Sequence, residues 1–298
     1  MAVLLSSMLL SVSALAQNAP GCTDNEVDIA HWQVLKANQF NAVAADEGLL
    51  AQLYACLAEP DPKLRDAIGY EGVVALLRNT QLTRTQQLAL FERLTNDLTW
   101  QRNDEHGVFL PFVVLAYSEV MRADRINAYL EPAQRQQALD AIAGYVAQLQ
   151  DYRGFDAESG WRHGVAHSAD VLLQLALNPL LSAQQHQQIG DIIGQALLPN
   201  KPLHFYVYDE PARLARAFAF NVLSPEVDIE VWQQWLVQYS KPKGYDDWPA
   251  VFQSPAGLAQ RHNKKAFFQS LYTTFANSQQ DRLLALMPGL QQAIRALP

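Results

Sequence analysis

Residues 160 to 170 read Gly-Trp-Arg-His-Gly-Val-Ala-His-Ser-Ala-Asp, which sets two imidazoles and a carboxylate, His163, His167 and Asp170, at positions i, i+4 and i+7. At about 100° per residue these positions fall within an arc of roughly 60°, so on a helix they project from one strip. Three chemistries suit such a strip. Two histidines one turn apart are half of a metal site for zinc or another divalent ion, with Asp170 completing or orienting it and Asp151, Asp156 or another part of the chain supplying the rest. Alternatively His167 and Asp170 form an acid/base pair in a hydrolytic pocket, Asp170 holding the imidazole tautomer while water is the nucleophile. The third is structural: the same groups hydrogen-bond to the preceding loop and neighbouring helices, with Arg153 pairing with Asp170 or Asp151.

The surrounding residues narrow these readings without closing any of them. Gly164 follows His163 where a His-Glu-x-x-His metalloprotease signature needs Glu, and His31, His106, His186, His204 and His262 form no second cluster. No Gly-x-Ser-x-Gly elbow is present, and Ser168 sits about 140° round a helix from His163. Tyr206-Val207-Tyr208-Asp209-Glu210 leads into Pro211-Ala212-Arg213, where Asp209 and Arg213 are spaced as an i, i+4 pair. Arg153, Trp161, His163, His167, Asp170, Glu210 and Arg213 are therefore the candidate ligand-contacting residues. Asp104-Glu105-His106 ahead of Gly107 reads as a polar turn. Tyr245-Asp246-Asp247-Trp248, with Trp232 and Trp235 nearby, offers aromatic platforms for a glycan or peptide, although aromatics at helical spacing are more often core.

A strip needs a helix to carry it, and the chain is rich in them. Alternating Val/Ile/Thr runs are scarce, whereas amphipathic stretches of 12 to 18 residues follow one another, so the fold class is all-α. Four segments begin alike, a leucine ahead of a helix-capping residue or proline: Leu82-Thr83, Leu130-Glu131-Pro132, Leu181-Ser182 and Leu223-Ser224-Pro225, 48, 51 and 42 residues apart. Between them, more uniformly apolar helices are expected at about 107–122, 160–177 and 209–222. A helix pair repeated with a period in the forties predicts stacked antiparallel pairs, a HEAT/armadillo-like α-solenoid, because one pair cannot bury its own apolar face.

With 298 residues, 49% of them apolar, the chain can bury a large core. Its net charge of −8 and dispersed Lys and Arg argue against nucleic acid and anionic membrane surfaces as partners. Met1 to Ala16 carry no charge and end Ala14-Leu15-Ala16, the pattern of a secretory signal, so residues 17–298 are expected as one exported, periplasmic domain. No later apolar run reaches the roughly 20 residues of a transmembrane span. Cys22 and Cys56 are the only cysteines; in an oxidising compartment they would close one disulfide, and otherwise they are two buried thiols.

The stretches Asp151-Tyr152-Arg153-Gly154-Phe155, Gly160-Trp161-Arg162-His163 and Ala166-His167-Ser168-Ala169-Asp170, with weaker agreement at Leu64-Arg65-Asp66 and Glu210-Pro211-Ala212-Arg213-Leu214-Ala215, make residues 60 to 290 resemble the bacterial domain of unknown function 2785 family. That resemblance implies a helical-repeat fold and no established activity. It also implies an Arg followed closely by Ser-Phe-Ser ahead of the middle apolar helix, where this chain has Arg102-Asn103-Asp104-Glu105-His106-Gly107-Val108-Phe109. The functional expectation is a non-catalytic binding or interaction module for a protein, peptide or small molecule, without a cofactor, and the alternative is a metal-dependent or His/Asp acid/base hydrolase.

Overall fold

The computed structural model describes residues 21–22, 27–41, 47–79, 81–100, 104–201 and 203–298; the expected leader, Met1 to Ala16, lies outside them, as do Arg102 and Asn103. Along the chain run α1 (Val27–Ala37), α2 (Glu47–Cys56), α3 (Pro62–Leu64), a π-helical turn (Arg65–Tyr70), α4 (Glu71–Arg78), α5 (Arg84–Trp100), α6 (Phe109–Ile126) and α7 (Pro132–Gln148). A hairpin of β1 (Phe155–Asp156) and β2 (Gly160–Trp161) precedes α8 (Gly164–Ala176). The remainder is α9 (Ala183–Ala196), α10 (Glu210–Val222), α11 (Ile229–Tyr239), α12 (Trp248–Val251), α13 (Pro255–Ala276) and α14 (Asp281–Ala296). The chain is all-α apart from that hairpin, among the described residues.

The helices start where their capping chemistry dictates. Ser182 Oγ accepts from Gln185 N while Gln185 Oε1 accepts from Ser182 N, closing a capping box on α9; Thr83 with Gln86 does the same for α5, and Glu131 with Gln134 for α7. The fourth expected start is displaced. Ser224 Oγ accepts from Glu226 N within a turn, and α11 begins only after Asp228, because the hydroxyl closes a local turn instead of capping a helix.

Packing sorts the helices into two rows. α6 lies against α8, α8 against α10 and α10 against α13, while α5 touches α7 and α7 touches α9. The first row is the better buried, as its composition requires: on α8 every residue except Asp170 and Gln174 is buried. Polar braces tie the rows together. Asp124 accepts from Tyr129 N and Leu130 N, from Arg135 of α7, and from Asn178 beyond α8; Asn221 of α10 bonds both the ring and the carbonyl of His186 on α9. Buried apolar side chains from Cys22 to Leu297 form a continuous cluster, and a disulfide joins Cys22 to Cys56 at the end of α2. No helix among the described residues is long and apolar enough to cross a membrane.

Trp232 and Trp235 belong to this core. Both are buried, packed on Phe218, so they present no platform to a glycan or peptide.

Candidate functional site

The loops that lead into α6, α8 and α10 lie side by side, and their polar groups hold one another. Asp104 begins the set by accepting from Val108 N and Leu110 N, which supplies the first turn of α6 with its cap. The next loop folds into the hairpin. Asp156 Oδ1 accepts from Glu158 N and Ser159 N, and Gly160 takes φ +68°, so three residues suffice to reverse the chain. The hairpin was not legible as a strand pair because two residues per strand give no alternation to detect. It also shortens the helix expected from Trp161: α8 starts at Gly164, and His163 stands ahead of it in the left-handed conformation, φ 57°.

Three guanidinium groups lock this hairpin in place. Arg65, fully buried in the π-helical turn, donates from Nη2 to Ser159 O at 2.8 Å and from Nε to Asp66, with its guanidinium 4.4 Å over the Phe112 ring. Arg162 donates to His106 O at 3.2 Å and pairs with Asp156. Arg153 grips Asp151 through Nε and Nη2 and also reaches His106 O at 3.3 Å. Of the two partners expected for Arg153 it therefore takes Asp151. On the other side, Gly154 is a glycine because the Tyr208 ring occupies the space that a Cβ would need.

His163, His167 and Asp170 come close together but have separate partners. The His163 and His167 ring centroids are 6.1 Å apart. His167 is buried, and its Nδ1 lies 2.9 Å from the carbonyl oxygen of Pro111; since a carbonyl only accepts, the imidazole carries its proton on Nδ1. Burial drives the His167 pKa down to about 3 against the opposing effect of that bond, with the neighbouring His163, Arg213 and Arg65 charges adding to the depression. Asp170 does not hold this imidazole, contrary to the acid/base expectation. Both of its oxygens accept from Arg213, and burial raises its pKa in spite of that pairing.

The i, i+4 pair expected between Asp209 and Arg213 gives way to this longer reach. Asp209 is itself left-handed, φ 70°, stays exposed at the start of α10 and makes no side-chain cap bond to it. Glu210 is buried and accepts from Tyr208 N at 2.8 Å; burial lifts its pKa, and the backbone bonds oppose the rise. Ser168 is occupied as well, donating to Gly164 O within α8.

The groups left facing the outside are largely aromatic. Trp161 is 42% and Phe155 49% exposed, paired across the hairpin at 5.1 Å. The Trp161 ring meets His163 edge-on at 4.2 Å, and Tyr208 lies within 6.2 Å of both. His163 Nε2 is buried with no hydrogen-bond partner, and burial, then the Arg213 charge, holds its pKa below the usual histidine range against the pull of Asp209. A cleft of about 650 Å³ is lined by residues 150–156 together with Lys201, His204, Val207 and Tyr208. Among the described residues, no three His, Cys, Asp or Glu side chains converge as metal ligands.

Sequence reasoning missed Arg65, Arg162 and Tyr208 as parts of the site. Arg65 and Tyr208 lie far from residues 160–170 in the chain, and only the Leu64-Arg65-Asp66 stretch hinted at the first.

A family model described as a protein of unknown function (DUF2785) matches residues 90–273, a span that holds the hairpin, both histidines, Asp170 and Arg213 but not Arg65 or the disulfide. No curated protein and no solved structure matches the chain.

Proposed function

For a chain that belongs to the DUF2785 family, we propose a non-catalytic binding module. It is an exported, periplasmic protein whose residues 17–298 form one domain, a HEAT-like solenoid of helix pairs, and it takes a protein, peptide or small-molecule ligand at the hairpin end of α8 and α10 without a cofactor. Two rows of successively packed helices and an uninterrupted apolar core support the solenoid, and a disulfide near the start of the described chain supports export. The observation that carries the binding reading is the state of the candidate catalytic groups. His167 is bonded to Pro111 O with its pKa held down to about 3, so the imidazole is not poised to take a proton near pH 7, and Asp170 is paired with Arg213 and not with that imidazole. Around them lie the exposed aromatic surfaces of Trp161 and Phe155 and a left-handed, half-buried His163, features that suit recognition.

A thermal-shift screen of the tag-free chain against metabolites and peptides, with mass spectrometry of each hit, tests this reading. The expected result is a ligand that stabilises the protein, is recovered unchanged, and loses its effect in Trp161→Ala and His163→Ala. Conversion of a hit that depends on His163 or His167 would refute it. So would a stoichiometric metal in the purified protein that disappears from a His163→Ala/His167→Ala double variant.

A further inference from the structure

The cleft lined by Tyr208 has a composition that selects a class of ligand. Its walls include Tyr152, Phe155 and Tyr208, with Val207 exposed at the rim, so flat apolar surface is available to a ring-shaped molecule. The lining carries two carboxylates, Asp151 and Asp156, and two cations, Arg153 and Lys201. Moreover, the carboxylates are already engaged, Asp151 by Arg153 and Asp156 by Arg162. At the Asp151–Arg153 pair a strongly charged ligand would meet a like charge beside the opposite one and give up its own hydration for it. Hydroxyl groups face no such conflict. Each one donates and accepts, so neighbouring hydroxyls can bridge the carboxylate and the guanidinium of a pair while leaving it intact. The pairs are held by backbone bonds as well, Arg153 N and Ser159 N donating to Asp151 and Asp156 respectively, which removes much of the ordering cost on binding.

We infer that this cleft binds a neutral saccharide, with a pyranose ring against Phe155 and Tyr208 and hydroxyls on the Asp151–Arg153 pair and on Asp156. This inference rests on the reading of the chain as a binding module and adds to it a ligand class, in a cleft that adjoins Trp161 and His163 through Tyr208 without being lined by them. Its size is that of a small-molecule site, which spans roughly 300 to 1,000 Å³.

Titration calorimetry of the full chain with maltose, cellobiose and N,N′-diacetylchitobiose, and with a proline-rich decapeptide as the competing class, tests it. One of the three disaccharides is expected to bind, and Tyr208→Ala is expected to weaken that binding at least tenfold. Phe155→Ala, whose side chain is half exposed and whose loss spares the core, should do the same in a protein with unchanged circular dichroism. Absence of binding by all three sugars, or equal binding by the wild type and Phe155→Ala, overturns the inference. Phe155-dependent binding of the peptide alone also overturns the saccharide class but leaves the binding module standing, whereas turnover of a bound sugar defeats both.

Discussion

Acidification should destabilise this protein through His167 in an amount that can be worked out in advance. In the unfolded chain the imidazole titrates near 6.5, whereas in the fold burial depresses it to about 3. A folded pKa below the unfolded value means that the unfolded state takes up the proton first. The stability contributed by the neutral ring is therefore complete above pH 6.5 and is lost as the pH falls toward 3. At about 1.4 kcal/mol per pH unit, the loss between pH 7 and pH 5 is about 2 kcal/mol from this residue alone. The side chain is 7% exposed, so solvent screening discounts the figure little. Urea unfolding at pH 7, 6 and 5, for wild type and His167→Gln, measures it. Burial also depresses His163, His186 and His204, so both proteins should weaken in acid, and the difference between their slopes isolates His167. Equal slopes in the two proteins would refute the buried, neutral imidazole and make His167 a working acid or base again.

The same contacts set further outcomes. Asp124→Ala strands Arg135, which is only 5% exposed, and should cost about 3 to 5 kcal/mol in chemical denaturation, while replacing both residues by apolar ones recovers most of that loss. Gly154→Ala drives a methyl into the Tyr208 ring and should lower stability by about 1 to 3 kcal/mol and shift the near-ultraviolet tyrosine signal. Reducing the Cys22–Cys56 bond, whose ends are 34 positions apart, should cost roughly 4 kcal/mol in the chain-entropy account, read as a lower melting temperature in reductant. Trp161→Ala, by contrast, should change the melting temperature little, since the ring is 42% exposed.

The fold was legible because local rules and packing agree along most of the chain. The starts at Thr83, Glu131 and Ser182 are set by a side chain three residues from its partner, which a sequence displays directly. The apolar character of residues 164–176 likewise announces a helix enclosed on most sides. Ser224 misleads because one hydroxyl serves a turn as readily as a helix cap, and the packing of the residues after it makes the choice.

The site was legible only as a location. Treating residues 161–170 as one helix put three polar groups on one strip, but Gly160 and His163, both with positive φ, break that helix before it begins. Identity of partners was beyond periodicity altogether, since Arg213 is 43 positions from Asp170 and the carbonyl that fixes His167 is 56 positions away. A buried charge or imidazole must be satisfied by whichever neighbour the fold brings up. Here the neighbours α6 and α10 supply a carbonyl and a guanidinium, and they neutralise the very groups whose spacing suggested chemistry. The same pairing leaves Trp161, Phe155 and Tyr208 as aromatic surface at this end of the inner row. Under the binding reading proposed above, selectivity there would rest on shape, stacking and hydroxyl-sized hydrogen bonds.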